Sequence, residues 1–180
     1  MIEKLYKVGQ MMAFVPMMAM PAATLAIKDA SIMNTPVTRS VIEKSKEEVR
    51  KEHATAINKY FSDKDMPLYG KGLQFVLVAE KYGLDWRLLP AISIRESSGG
   101  RQACGNNPFG WGSCKLHNFK SYDEAIETLG KHLGGAAEST SRYYARKSTA
   151  EKLYYYNGSV EPAYPGEVLG IMDDIEMRLE

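Results

Sequence analysis

Residues 71–96 read KGLQFVLVAEKYGLDWRLLPAISIRE, and this stretch decides the fold. KGLQFVLVAEKY, residues 71–82, predicts a compact apolar helix, and Gly83 stands where a left-handed cap would end it. Trp86 to Glu96 predicts a second helix, with apolar Leu88, Leu89, Ala91, Ile92 and Ile94. Pro90 belongs in its first turn, where a missing N–H costs nothing.

Working outward, TRSVIEKSKEEVRKEHATAINKYF at 38–61 has strong helix formers and Glu/Lys pairs three and four apart. Its apolar positions are sparse: Val41, Val49, Ala54, Ile57 and Phe61. It reads as a spacer or a loosely docked arm, ended by Ser62 to Pro67 and joined by a linker at 28–37. On the other side, SSGGRQACGNNPFGWGSCKLHNF is a long loop whose aromatics and cysteines argue for order. Ser121 with Glu124, and Ser148 with Glu151, form capping boxes that open two further helices. PGEVLGIMDDIEMRL closes the chain as an amphipathic helix. No strand run and no internal repeat appears, so the class is mainly α.

The chain has 180 residues, enough for one domain plus extras. Apolar residues make up 44% and charged residues 25%, the usual balance of a globular protein. A formal net charge of +1 points to no nucleic-acid partner. Val8 to Ile27 carries no charge and follows a Lys-bearing start, with Ala22, Ala23 and Ala26 offering small residues for cleavage. Two main readings stand for residues 1–27, a signal peptide or an uncleaved membrane anchor, beside a buried or surface helix. Both carry the rest of the chain across a membrane, to a secreted, periplasmic or cell-envelope location, and leave the membrane as a partner only through this segment.

Cys104 and Cys114 have nine residues between them inside the long loop. In an exported protein they are candidates for a local disulfide, contributing ~2–3 kcal/mol; two free thiols are the other reading. A zinc site is disfavoured, since His117 is the only nearby histidine and there is no second Cys pair. No metal or cofactor is expected.

Glu96 is the singular residue. It ends an apolar helix, and SSGG lets the chain bend away immediately after it. Packing by Trp86, Ile92 and Phe109 would partly dry the carboxyl. Desolvation raises a carboxyl pKa, and a carboxyl protonated near working pH can act as a general acid on a glycosidic oxygen. The plainer reading is a solvated helix-end Glu paired with Arg95 or Arg101.

Three ordered segments carry a resemblance: Glu96-Ser97 in YGLDWRLLPAISIRESSGG, then NNPFGWGS at 106–113, then YYYNGSVEPAYPGEVLGIMDDI. Together they resemble the lysozyme-like superfamily, of the bacterial endo-β-N-acetylglucosaminidase and lytic transglycosylase type, over roughly residues 68–180. The resemblance implies a lysozyme-like catalytic domain at 68–180, preceded by the export segment at 1–27 and the linker and helical arm at 28–67. It implies cleavage of the β-1,4 bonds of peptidoglycan glycan strands with Glu96 as catalytic acid. It also implies a sugar groove lined by the Asn-Asn-Pro-Phe-Gly loop and a late Tyr.

For Ser97 the readings are a hydrogen bond to Glu96 or sugar, or helix termination alone. Asn106 and Asn107 offer amides to N-acetyl and hydroxyl groups, or simply make a turn. Phe109 is expected in the core and Trp111 in the groove. Tyr156 is expected to reach Glu96 from the far wall, with Tyr154 and Tyr155 as alternatives. No second carboxylate is evident by spacing, which leans toward attack by the sugar's own 6-hydroxyl and a 1,6-anhydro product. The glucosaminidase-like loop leans toward hydrolysis. The alternatives to an enzyme are a non-catalytic peptidoglycan-binding or scaffold module on the same fold, and a structural part of an export apparatus or phage particle.

Overall fold

The computed structural model of the chain describes residues 36–113 and 119–179. The export segment at 1–27, most of the linker at 28–37, and Cys114 with its expected pairing lie outside the described residues. The described residues are mainly helical and contain no strand. In chain order the helices are α1 (Pro36–Asp63), α2 (Gly72–Tyr82), α3 (Leu88–Ser97), α4 (Tyr122–Leu133), α5 (Ser141–Tyr144), α6 (Thr149–Leu153) and α7 (Tyr164–Glu176). A single π-helical turn at Tyr154–Gly158 follows α6 directly. Among the described residues no helix is long and apolar enough to cross a membrane.

The helix ends follow local chemistry. Gly83 caps α2 in the left-handed region at φ 63°, where a side chain would be strained. Ser148 and Glu151 cap α6 reciprocally, as expected. Ser121 accepts the Glu124 N–H at 3.2 Å, but the Glu124 carboxylate reaches Lys120 N–H at 2.6 Å instead of Ser121, so this box is only half formed.

The expected loose arm is corrected by the packing. Ala56, Ile57 and Phe61 are fully buried, and Tyr60 is nearly so. α1 lies along α2 and touches α7. Fully burying each large apolar side chain contributes ~1.5–3 kcal/mol, so the C-terminal half of α1 is a wall of the core. Only its first half, from Ile42 to Val49, is exposed throughout. The core therefore begins before residue 68. It continues through Phe75 and Val78 of α2, Leu88, Leu89 and Ile92 of α3, Ile126 and Leu129 of α4, and Val168 and Met172 of α7. α3 runs through the middle, against α2, α4 and α7, and this holds Glu96 at the edge of the packed interior.

Candidate active site

Glu96 occupies the last full turn of α3. Immediately beyond it the chain reverses through Ser98 and Gly99, at φ 53° and 62°. Their N–H groups bond back to the carbonyls of Ile94 at 2.9 Å and Ser93 at 3.1 Å. This closure satisfies the helix end and leaves the Glu96 side chain at an open corner.

The carboxyl faces a cleft of about 290 Å³ lined by Glu96, Phe109, Gly110, Trp111, Gly112, Tyr156 and Asn157. Tyr164, fully buried at the start of α7, donates its hydroxyl to Glu96 Oε1 at 2.7 Å. The other oxygen, Oε2, lies beside Gly110, and a Cβ built on that glycine would sit 3.3 Å from it. Gly110 has φ +63°, so both the backbone and the space next to the carboxylate require a residue with no side chain.

Burial raises the Glu96 pKa above the usual carboxyl range. The Tyr164 hydrogen bond and the Arg95 charge act the other way, and the Glu161 charge adds to the rise. Burial prevails because the carboxyl is walled by protein on most sides. The Tyr164 hydroxyl is pushed up further, by burial, by Tyr156 and by Glu96, so it stays a proton donor.

The partner of Glu96 is thus Tyr164 and not Tyr156. Tyr156 donates instead to the carbonyl of Phe109 at 2.6 Å and ties the loop to the π-turn. Its ring continues a ladder from Trp111, with centroids 5.8 Å apart, to Tyr164, also 5.8 Å apart. Tyr154 and Tyr155 are exposed and are not among the residues lining the cleft. Sequence reasoning missed Tyr164. The chain has 11 tyrosines, and this one precedes the predicted closing helix by a single residue, so only the docking of α7 distinguishes it.

The loop residues behave in two ways. Trp111 lines the cleft and stands 4.8 Å, ring to ring, from His132. Phe109 is in the core at 1% exposure. Asn107 is turned inward: its amide donates to the Trp111 carbonyl at 2.9 Å and its oxygen accepts the Trp111 N–H at 3.2 Å. Asn106 donates to the Phe119 carbonyl at 2.9 Å. Both are turn-makers, and neither amide group is presented to the cleft. Ser97 is buried; its hydroxyl bonds the Pro108 carbonyl at 2.7 Å and accepts the Gly100 N–H at 3.0 Å. It clips the loop to α3 and touches neither Glu96 nor the cleft. The expected drying of Glu96 by Trp86 is also corrected, because Trp86 stacks flat on His53 at 4.2 Å.

That His53–Trp86 pair lines a second cavity, of about 420 Å³, between α1 and the α2–α3 region. It is larger and more apolar, but its acids are already held: Glu80 by Arg50, and Asp85 by Arg87. Both carboxyls are lowered by their Arg partners' hydrogen bonds, against the effect of burial. Neither suits proton donation, so the smaller cleft is the stronger candidate for a site. Cys104 is exposed. Among the described residues no group of three His, Cys, Asp or Glu side chains is placed to hold a metal.

No protein-family model, curated protein or solved structure matches the chain.

Proposed function

We propose that the chain is an exported peptidoglycan-cleaving glycosidase with a lysozyme-like domain, using Glu96 as its general acid. The observation that carries this reading is a carboxyl of raised pKa, open to a cleft and held by a buried tyrosine hydroxyl. With Oε1 accepting from Tyr164, Oε2 is the oxygen that carries the transferable proton. It protonates the bridging oxygen of a β-1,4 bond. The C–O bond then breaks with charge developing at the anomeric carbon. Trp111 and Tyr156 give the cleft an aromatic wall for a sugar face.

Among the described residues Glu96 is the only carboxylate lining this cleft. Glu161 is near enough to influence it, but its oxygens are held by Arg95 at 2.6 Å and Asn157 at 3.1 Å. The undescribed stretch at 114–118 contains no Asp or Glu. A single carboxylate favours attack by the sugar's 6-hydroxyl, with the ionised Glu96 taking back the hydroxyl proton, over the two-carboxylate routes.

Purified protein should clear a suspension of cell walls, and Glu96→Gln should lower the rate by ~10²–10⁴-fold while still folding and melting cooperatively. Mass spectra of the fragments should show 1,6-anhydro ends; reducing ends would select hydrolysis. Undiminished clearing by the Gln variant sinks the reading. Retention on walls with no fragments from the unaltered chain leaves the non-catalytic binding module in its place.

A further inference from the structure

Four tyrosines are exposed among the described residues, and three of them, all but Tyr69, lie together. Tyr143 is 37% exposed, Tyr154 51% and Tyr155 41%, whereas Tyr144 and Tyr164 are buried. They form one patch: Tyr143 and Tyr155 have centroids 5.7 Å apart, and Tyr154 and Tyr155 5.4 Å. Two cations sit against it, Arg142 at 4.5 Å from the Tyr143 ring and Lys147 at 5.9 Å from the Tyr155 ring, the latter also paired with Glu151 at 3.1 Å.

The patch is basic as well as aromatic. Leaving aside the buried Lys152, residues 139–157 hold three basic side chains and one acidic, a net +2, within a chain whose total is only +1. It is also rigidly built. The buried Lys152 ammonium donates to the carbonyls of Tyr144 and Lys147, both at 2.8 Å, and so ties α5 and the turn after it to α6. Rings held in place lose little freedom on binding. Finally, the patch adjoins the cleft through the chain itself. Tyr154 and Tyr155 are followed, in the same π-turn, by Tyr156 and Asn157, which line the cleft beside Glu96.

We propose that the lobe of α5, α6 and the π-turn is a second glycan-binding face, where Tyr143, Tyr154 and Tyr155 hold a peptidoglycan strand outside the cleft while Arg142 faces its carboxylates. Aromatic rings with polar tips suit sugar faces, and the Arg142 cation suits the acidic peptide stems of this polymer. The naming of the polymer rests on the proposed activity; the face itself is argued from its own residues. It keeps the enzyme on an insoluble wall between cuts.

The test uses the full chain carrying Glu96→Gln, so that binding is read without digestion. Co-sedimentation with insoluble peptidoglycan is compared between this parent and the same chain with Tyr143→Ala, Tyr154→Ala and Tyr155→Ala together. We expect retention to weaken by at least about tenfold, with the melting temperature reported alongside. Should the triple variant fold poorly, Tyr154→Ala alone serves, since that ring is the most exposed of the three. Arg142→Glu should weaken binding to intact peptidoglycan but not to strands stripped of their peptide stems. Equal retention of the folded tyrosine variants overturns the proposal, as does a parent that does not sediment with peptidoglycan at all. Failure of the catalytic reading is seen separately, as wall clearing by the Gln variant at the unaltered rate.

Discussion

Tyr164 gives Glu96 a donor and takes away part of its resistance to ionising, so its removal has a signed consequence. A hydrogen bond donated to a carboxylate favours the charged form, and losing it raises the pKa. In Tyr164→Phe, the limb where activity falls as pH rises through the Glu96 pKa should move to higher pH; the pH–rate profile of wall clearing checks this, and an unmoved limb refutes the assignment. Glu96 itself has a stability signature. Its folded pKa lies above the unfolded value, so the folded state holds the extra proton between them and loses stability as pH rises through that window. Glu96→Gln should therefore melt above the parent at neutral pH, and the gap should close once the pH drops below the unfolded carboxyl value of ~4.3. Gly110→Ala should cost ~1–2 kcal/mol for its left-handed backbone and also crowd Oε2, lowering turnover beyond what denaturant melts account for. Glu96 stands out in the sequence as a carboxylate ending an apolar helix before a Gly-rich turn. The spacing alone fits a solvated helix-end Glu equally well, and only the resemblance of its Glu-Ser pair gives it the acid's role. Its tyrosine could not be picked out, because nothing local marks a residue whose role depends on a contact 68 positions away. The paired asparagines misled for a related reason: an amide that binds a ligand and one that closes its own turn look alike until the loop is folded.

Along α1 the two halves do different work, and substitution should separate them. Phe61→Ala should cost ~3–5 kcal/mol, as for a fully buried aromatic, and Ile42→Ala, 39% exposed, should stay within ~0.5 kcal/mol, both read from denaturant midpoints. Similar losses at both positions would restore the picture of a uniform arm. The helix was readable from its formers and charge pairs, but its burial was not. Ala54, Ile57 and Phe61 make a proper helical stripe, yet the charged turns before them dilute it over 28 residues. The boundaries of α2 and α6 were readable because Gly83 and the Ser148–Glu151 pair act through immediate neighbours. Where a cap depends on which neighbour a flexible carboxylate chooses, as with Glu124, sequence foretold only the half that uses the serine.

Taken together, the helices place the candidate site between the loop that follows α3 and the last part of the chain. α3 supplies the acid, the loop after it supplies one wall through Gly110 and Trp111, and the π-turn with α7 supplies the other. The clip from Ser97 to Pro108 fixes the first wall; Ser97→Ala, which strands a buried carbonyl, should cost ~1–3 kcal/mol and loosen the cleft, seen as faster hydrogen exchange across the loop. The mainly α class was within reach of sequence because it sums many local signals, whereas the meeting of α3 with α7 is a long-range event that no single window contains. Under the proposed reading, that meeting also sets when the molecule becomes competent. A growing or clipped polypeptide ending before Tyr164 carries its acid without the hydroxyl that steadies it, and without the surface that dries it. Under the proposed reading, a cell making this enzyme is spared from it until the last helix has docked.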